Sequence, residues 1–242
     1  MPSATMNTQE SQEICQRYLK LYSGAIADIL DKRGYRNQVL PRYLTPQTTA
    51  NRVAGLAFTG QGYPCASTTD DDTQTRLNML DSITPGTVSV WACGGSVNCA
   101  HWGEMMSTAA RQRGCSGGVL DGGVRDLDFI NAMEYPVFAS FRCAASSVGR
   151  WNIKEYQTTI RIGDTVIYPK DFVFGDIDGV VIVPQELTLD VLSAAENIHV
   201  RESGMREELR RGVSVKEAYA KYGSLSLYNE KYLKLRVDRA II

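Results

Sequence analysis

The stretch Gly117-Gly118-Val119-Leu120-Asp121-Gly122-Gly123-Val124-Arg125-Asp126 decides how the rest of the chain is read. Gly117 to Asp121 is short, apolar and bounded by glycine, the pattern of a strand enclosed by its neighbours. Gly122 and Gly123 predict a sharp turn at the C-terminal edge of that strand, which sets an arginine beside an aspartate. Upstream, the run Gly94-Gly95-Ser96-Val97-Asn98-Cys99-Ala100-His101-Trp102-Gly103-Glu104-Met105-Met106 leaves a strand at Val88 to Ala92 and enters a helix expected over Trp102 to Arg113. Downstream, Asp126 to Met133 has helical spacing and Pro136 to Phe141 forms a further strand. Strands and helices alternating in this way predict an α/β unit with parallel, enclosed strands, and in such sheets ligands gather at the C-terminal edges.

The flanks extend this core. Ile14, Tyr18, Leu21 and Tyr22 share one helical stripe, and Ala25 to Lys32 forms a second short helix ending at Gly34. Val53 to Gly60 is a buried strand, followed by a polar loop at Ser67 to Asp72 whose three aspartates are read as a solvated surface rather than a cation site. Thr158 to Ile162, Val166 to Tyr168, Phe172 to Gly175 and Val180 to Val183 are short strands at turn spacing, as in antiparallel sheet. Leu187 to Arg211 is a long amphipathic helix and Val215 to Tyr222 a shorter one; residues 224–242 form a semi-polar extension. All of residues 1–242 are read as a single domain, with its core at about 20–223.

Composition excludes several classes. A net charge of −1 offers no field for nucleic acid, and the basic run Arg206, Arg210, Arg211 is interrupted by Glu207 and Glu208. Apolar runs fall far short of the roughly 20 residues that cross a bilayer, so no membrane span is expected. Met1 to Glu13 shows neither a basic nor an apolar targeting segment, which predicts a cytoplasmic protein. The six cysteines stand singly with no C-x-x-C pair, as expected of reduced, mostly buried thiols. With only two histidines, any metal site has to rely on carboxylates and a hard cation such as Mg²⁺ or Mn²⁺.

The free amides at the start of the helix after Gly103 favour an anion. Adjacent strands bring Glu104 and Asp126 to one rim, so two carboxylates and the Arg125 guanidinium share a pocket. The residues alone leave two readings open. In one, these groups bind and act; in the other, Glu104 complements its helix terminus while Arg125 and Asp126 are ordinary surface charges.

Ala100-His101-Trp102-Gly103-Glu104, Ala109-Ala110, Arg113-Gly114, the Gly117 to Asp126 stretch and Pro136-Val137-Phe138-Ala139 together resemble the 4-hydroxy-4-methyl-2-oxoglutarate aldolase and RraA-like family. Gly24 to Leu30 and Gly175-Asp176-Ile177-Asp178-Gly179-Val180 with Pro184 extend the resemblance over most of residues 20–223. It implies an α/β/β sandwich-like domain with mixed sheets and helical N- and C-terminal segments, assembled as a homotrimer or homohexamer with active sites between subunits. It also implies roles. Asp126 binds a divalent cation, Mg²⁺ or Mn²⁺, with Glu104 acting through metal-bound water; Arg125 holds the substrate near the reacting carbonyl; the amides of Met105 and Met106 receive its carboxylate. Glu202, on the long C-terminal helix, is an acidic residue supplied by the neighbouring subunit. Departures are Pro169-Lys170-Asp171 in place of a Pro-Gly-Asp turn, His101 at a position where the family varies, and the tail after Gly223.

The implied chemistry is metal-dependent cleavage of a 2-oxo acid through a pyruvate enolate, as an aldolase, an oxaloacetate-type decarboxylase, or both. Two alternatives carry different expectations: a non-catalytic RraA-like regulator that masks a ribonuclease, and a lyase or dehydratase of the same fold with another oxo or hydroxy acid substrate.

Overall fold

The computed structural model describes residues 8–222, so the extension at 224–242 lies outside the described residues. Two helices, α1 (Thr8–Tyr18) and α2 (Ser23–Lys32), open the described chain. The α1 stripe holds as expected: Ile14, Tyr18 and Leu21 are buried, although Leu21 lies in the turn that follows the helix.

A mixed sheet is built from β1 (Thr45–Pro46), β2 (Val53–Pro64), β3 (Thr87–Ala92), β4 (Ala100–Trp102), β5 (Gly118–Val124), β6 (Val137–Arg142), β7 (Trp151–Tyr156), β10 (Phe172–Asp176) and β11 (Gly179–Val183). Its order is β1-β6-β5-β3-β2-β10-β11, with β4 added beside β5 and β7 beside β2. The unit β2-β3-β5-β6 is parallel, as the alternation of strands and helices predicts, while β10 and β11 are antiparallel. The sheet curls almost shut. The segment around residues 38–46 spans the gap, Val39 bridging to Val181 of β11 while Thr45 pairs with Ala139 of β6.

Side-chain alternation sorts the apolar residues into three layers. Val53, Val88, Val90, Val119, Phe138, Val173 and Ile182 point inward, where the small hairpin of β8 (Ile160–Ile162) and β9 (Thr165–Ile167) adds Ile160, Ile162 and Ile167. On one outer face Phe172, Phe174 and Val181 pack against α1, α2 and the long helix α6 (Thr188–Arg210), which α7 (Val215–Tyr222) follows. On the other, Phe58, Trp91, Leu120 and Val137 meet α3 (Asp70–Asp81), α4 (Glu104–Gln112) and α5 (Leu127–Ala132).

Three expectations need correction. Asp70, Asp71 and Asp72 are no loop but the first turn of α3, where the helix dipole favours negative charge. Thr69 caps that helix, its hydroxyl accepting from the Asp72 amide at 3.2 Å while the Asp72 carboxylate accepts from the Thr69 amide at 3.0 Å. Trp102 belongs to β4, so the helix starts only after Gly103. Finally, Gly122 and Gly123 make no turn: β5 continues through them to Val124, with a shift of register against β6 between Leu120 and Gly123. They are glycines because the space is taken. A Cβ at Gly122 would overlap the His101 ring and come within 2.8 Å of the Cys93 sulfur, and one at Gly123 would lie 2.6 Å from the Cys99 carbonyl oxygen. The strands β1, β4 and β7 have no counterpart in the sequence reading.

Candidate active site

The rim forms where β4 and β5 end side by side. Arg125 donates its backbone N–H to the Trp102 carbonyl at 3.1 Å, prolonging the pairing one residue beyond β5. Asp126 then breaks the strand with φ 60° and ψ 34°, the left-handed conformation that aspartate tolerates better than most side chains. Although it stands at the N-cap of α5, its carboxylate does not cap that helix. It turns the other way, with Oδ2 3.4 Å from the Glu104 amide and 3.4 Å from Nε of Arg125.

Gly103 makes this possible. Its backbone is extended (φ −158°, ψ −170°), so glycine is not required by conformation. It is required by space, since a Cβ there would lie 2.6 Å from Oδ2 of Asp126 and 3.4 Å from Cγ of Arg125. Gly103 is also the N-cap of α4 and has no side chain to satisfy the first amides. The first helical bond is Ser107 N–H to the Gly103 carbonyl at 3.1 Å, which leaves the amides of Glu104, Met105 and Met106 directed toward the rim. Met105 is 76% exposed, whereas Met106 packs on the apolar layer beneath. The Glu104 carboxylate accepts from the Thr108 hydroxyl at 2.8 Å, one turn along α4.

The Arg125 and Asp126 side chains are 40% and 39% exposed, so they are accessible to a solute yet flanked on one side by protein. His101, by contrast, is 1% exposed and lies beneath the rim. Its Nδ1 accepts from the Gly123 amide at 2.8 Å, which places the ring proton on Nε2 toward the Cys99 sulfur 3.6 Å away. Burial pushes its pKa down to about 4, which keeps the ring neutral near pH 7 and suits it to packing under β5.

The structure thus brings together Glu104, Met105, Met106, Arg125 and Asp126. Glu202 stands elsewhere, on α6 in the opposite helical layer, where its carboxylate accepts from the Tyr22 hydroxyl and from Arg206. Nothing in the sequence singles out Gly103, although it directly precedes Glu104; only the three-dimensional path of Asp126 shows why it matters.

The sequence pattern that describes the RraA-like proteins (Aldolase/RraA) matches residues 23–182, which contain all of this rim. The chain belongs to the RraA-like family. Among its relatives, Protein DlpA of Legionella pneumophila is 25% identical over 98% of this RraA-like chain, which spans only 38% of that longer protein. A Halalkalibacterium halodurans protein provisionally named a 4-hydroxy-4-methyl-2-oxoglutarate aldolase is 26% identical over 88% of the chain and 96% of its own length. The crystal structure of an uncharacterised Pseudomonas syringae protein superposes with a TM-score of 0.76 at 29% identity, covering 86% of this chain and 96% of that one. The nearly closed mixed sheet with its helical layers is therefore the fold of the family.

Proposed function

We propose that this RraA-like chain is a divalent-metal-dependent carbon–carbon lyase that cleaves a 2-oxo acid through a pyruvate-like enolate. One observation carries the reading: Asp126, in a left-handed conformation over a glycine that admits no Cβ, gives up its own helix and holds its carboxylate at the mouth of α4 beside Arg125. The name of the Halalkalibacterium relative supports the same class of chemistry.

The donor set fits a hard cation. Asp126 and Glu104 offer carboxylate oxygens, and among the described residues no three His, Cys, Asp or Glu side chains form a ready-made cage. A site of few protein oxygens suits Mg²⁺ or Mn²⁺, which keep several of their own waters. Asp126 would hold the ion and Glu104 would orient its water. Bound there, the cation supplies Lewis acidity toward the 2-oxo group and the enolate oxygen.

The protein's own groups do the rest. The Nη groups of Arg125 have no partner among the described residues, which leaves a planar pair of donors for the substrate carboxylate or carbonyl. The Met105 and Met106 amides receive a carboxylate at the positive end of α4. In retro-aldol cleavage the substrate hydroxyl gives up its proton to a base, Glu104 or Glu202 of an adjacent copy, and the electron pair of the breaking bond passes into the enolate. The enolate carbon then takes up a proton and pyruvate leaves. Decarboxylation of oxaloacetate reaches the same enolate by loss of CO₂ and has no hydroxyl proton to remove. Supply of Glu202 in this way requires an oligomer, and light scattering should show the trimer or hexamer that the family resemblance implies. The complete set of Glu104, Arg125 and Asp126 favours catalysis over the masking role of a regulator.

The test is pyruvate release from 4-hydroxy-4-methyl-2-oxoglutarate and oxaloacetate. Activity should depend on Mg²⁺ or Mn²⁺ and leave no borohydride-trapped lysine adduct.

A further inference from the structure

Glu202 is held by two donors that converge on one of its oxygens. The Tyr22 hydroxyl and Nη2 of Arg206, the latter at 2.7 Å, both bond Oε2. No donor among the described residues reaches Oε1. Tyr22 is itself fixed. It stands in extended conformation at the N-cap of α2, its ring centroid 6.3 Å from that of His199 and 5.7 Å from the Arg206 guanidinium. The Glu202 side chain is only 24% exposed, so the clamp restricts its rotamers in a way an open surface position would not. Burial and the neighbouring carboxylate push the Tyr22 phenol well above its ordinary pKa, so it stays a donor throughout the neutral range.

Two donors on one oxygen leave a carboxylate with a fixed orientation and one free acceptor. A structural tie between α2 and α6 would work as well with both oxygens engaged. A proton acceptor needs the arrangement seen here, because its free oxygen must meet a hydroxyl within hydrogen-bond reach and at a defined angle. We propose that Tyr22 and Arg206 are positioning residues that aim Oε1 of Glu202 at the substrate hydroxyl during carbon–carbon cleavage. This rests on the lyase reading above and adds to it the residues that govern the proton-transfer step.

The two reactions of that reading provide the test, because only aldol cleavage removes a hydroxyl proton. The oligomeric protein with Mn²⁺ is assayed for both, as wild type, Tyr22→Phe, Arg206→Lys and Glu202→Gln, with thermal unfolding to confirm that each variant is folded. Since positioned proton transfer contributes typically 10²–10⁴-fold, Tyr22→Phe should lower kcat for aldol cleavage by about tenfold or more. Oxaloacetate decarboxylation should fall far less. In a Glu202→Gln background Tyr22→Phe should add almost nothing, because the carboxylate it aims is gone. Arg206→Lys should retain part of the aldol activity, since an ammonium still reaches Oε2 but cannot form the same planar contact. Equal losses in the two reactions, or an undiminished Tyr22→Phe effect in the Glu202→Gln background, would reduce the clamp to a helix tie and overturn the inference. Wild-type protein that releases pyruvate from neither substrate overturns the lyase reading itself, an outcome distinct from failure of the inference alone.

Discussion

Gly103→Ala isolates the position of one carboxylate without touching its chemistry. The backbone at Gly103 is extended and accepts alanine without strain, so the new methyl acts only through space. It would sit 2.6 Å from Oδ2 of Asp126, against the 3.4 Å at which ordinary contact begins. The carboxylate has to retreat, because the other side of the methyl faces the Arg125 stem. Oxygen positions around a hard cation are set to roughly 0.2 Å, so this retreat is several times the tolerance of a ligand or of the water it orients. Displacing such a group typically costs 10–100-fold in metal affinity. The fold should suffer little: losing a glycine N-cap costs roughly 0.5–1 kcal/mol, a drop of only a few degrees in Tm for a chain of this size. Calorimetric titration with Mn²⁺ and a thermal melt separate the two effects. The expected result is affinity down by about tenfold or more with Tm nearly kept, and little further loss on adding Asp126→Ala. A folded Gly103→Ala protein that binds Mn²⁺ within about twofold of wild type would refute the role given to the Asp126 carboxylate.

Three further outcomes follow from the same geometry. Arg125→Ala should leave Mn²⁺ affinity nearly intact while lowering kcat/KM by roughly 3 kcal/mol, and Arg125→Lys should rescue little, as steady-state kinetics with calorimetry will show. Asp126→Ala should instead weaken the ion, so that activity recovers in part as the metal concentration is raised. His101 should make folding pH-dependent. Its folded pKa is depressed to about 4 from 6.5, so the unfolded chain binds more protons between those values, and the stability present above pH 6.5 is lost as pH falls toward 4. Denaturant unfolding at pH 5 should show on the order of 2 kcal/mol less stability than at pH 7, and His101→Gln should flatten that slope.

Much of the fold was legible because its burial is regular. Val88 to Ala92, Gly118 to Asp121 and Val137 to Phe141 are mostly apolar and largely buried, as enclosed parallel strands must be. Elsewhere, residues adopt structures that their local preference does not predict, because that preference yields to packing. Gly122 and Gly123 favour a turn in isolation, yet they lie in a strand because the His101 ring and the Cys99 carbonyl fill the space a Cβ would need. Three aspartates in a row suggest a loop until Thr69 caps the helix they begin. Strand β7, where Trp151 stacks on Trp91 at 5.7 Å, depends on a partner nearly a hundred residues away, which no local pattern reveals. At the rim, Arg125, Asp126 and Glu104 were legible as residue types, while their arrangement over Gly103 depends on the left-handed turn at Asp126. The clamp on Glu202 joins residues from opposite ends of the chain, so it too is visible only in the fold.

The measurement that bears most directly on the proposed chemistry is pyruvate release from 4-hydroxy-4-methyl-2-oxoglutarate by the full chain, before and after exhaustive chelation and then with Mn²⁺ restored. Activity that disappears with the chelator, returns with the ion, and fails to return in Asp126→Ala at the same Mn²⁺ concentration is the predicted result. Undiminished pyruvate release after chelation, or a lysine adduct trapped by borohydride, would contradict it.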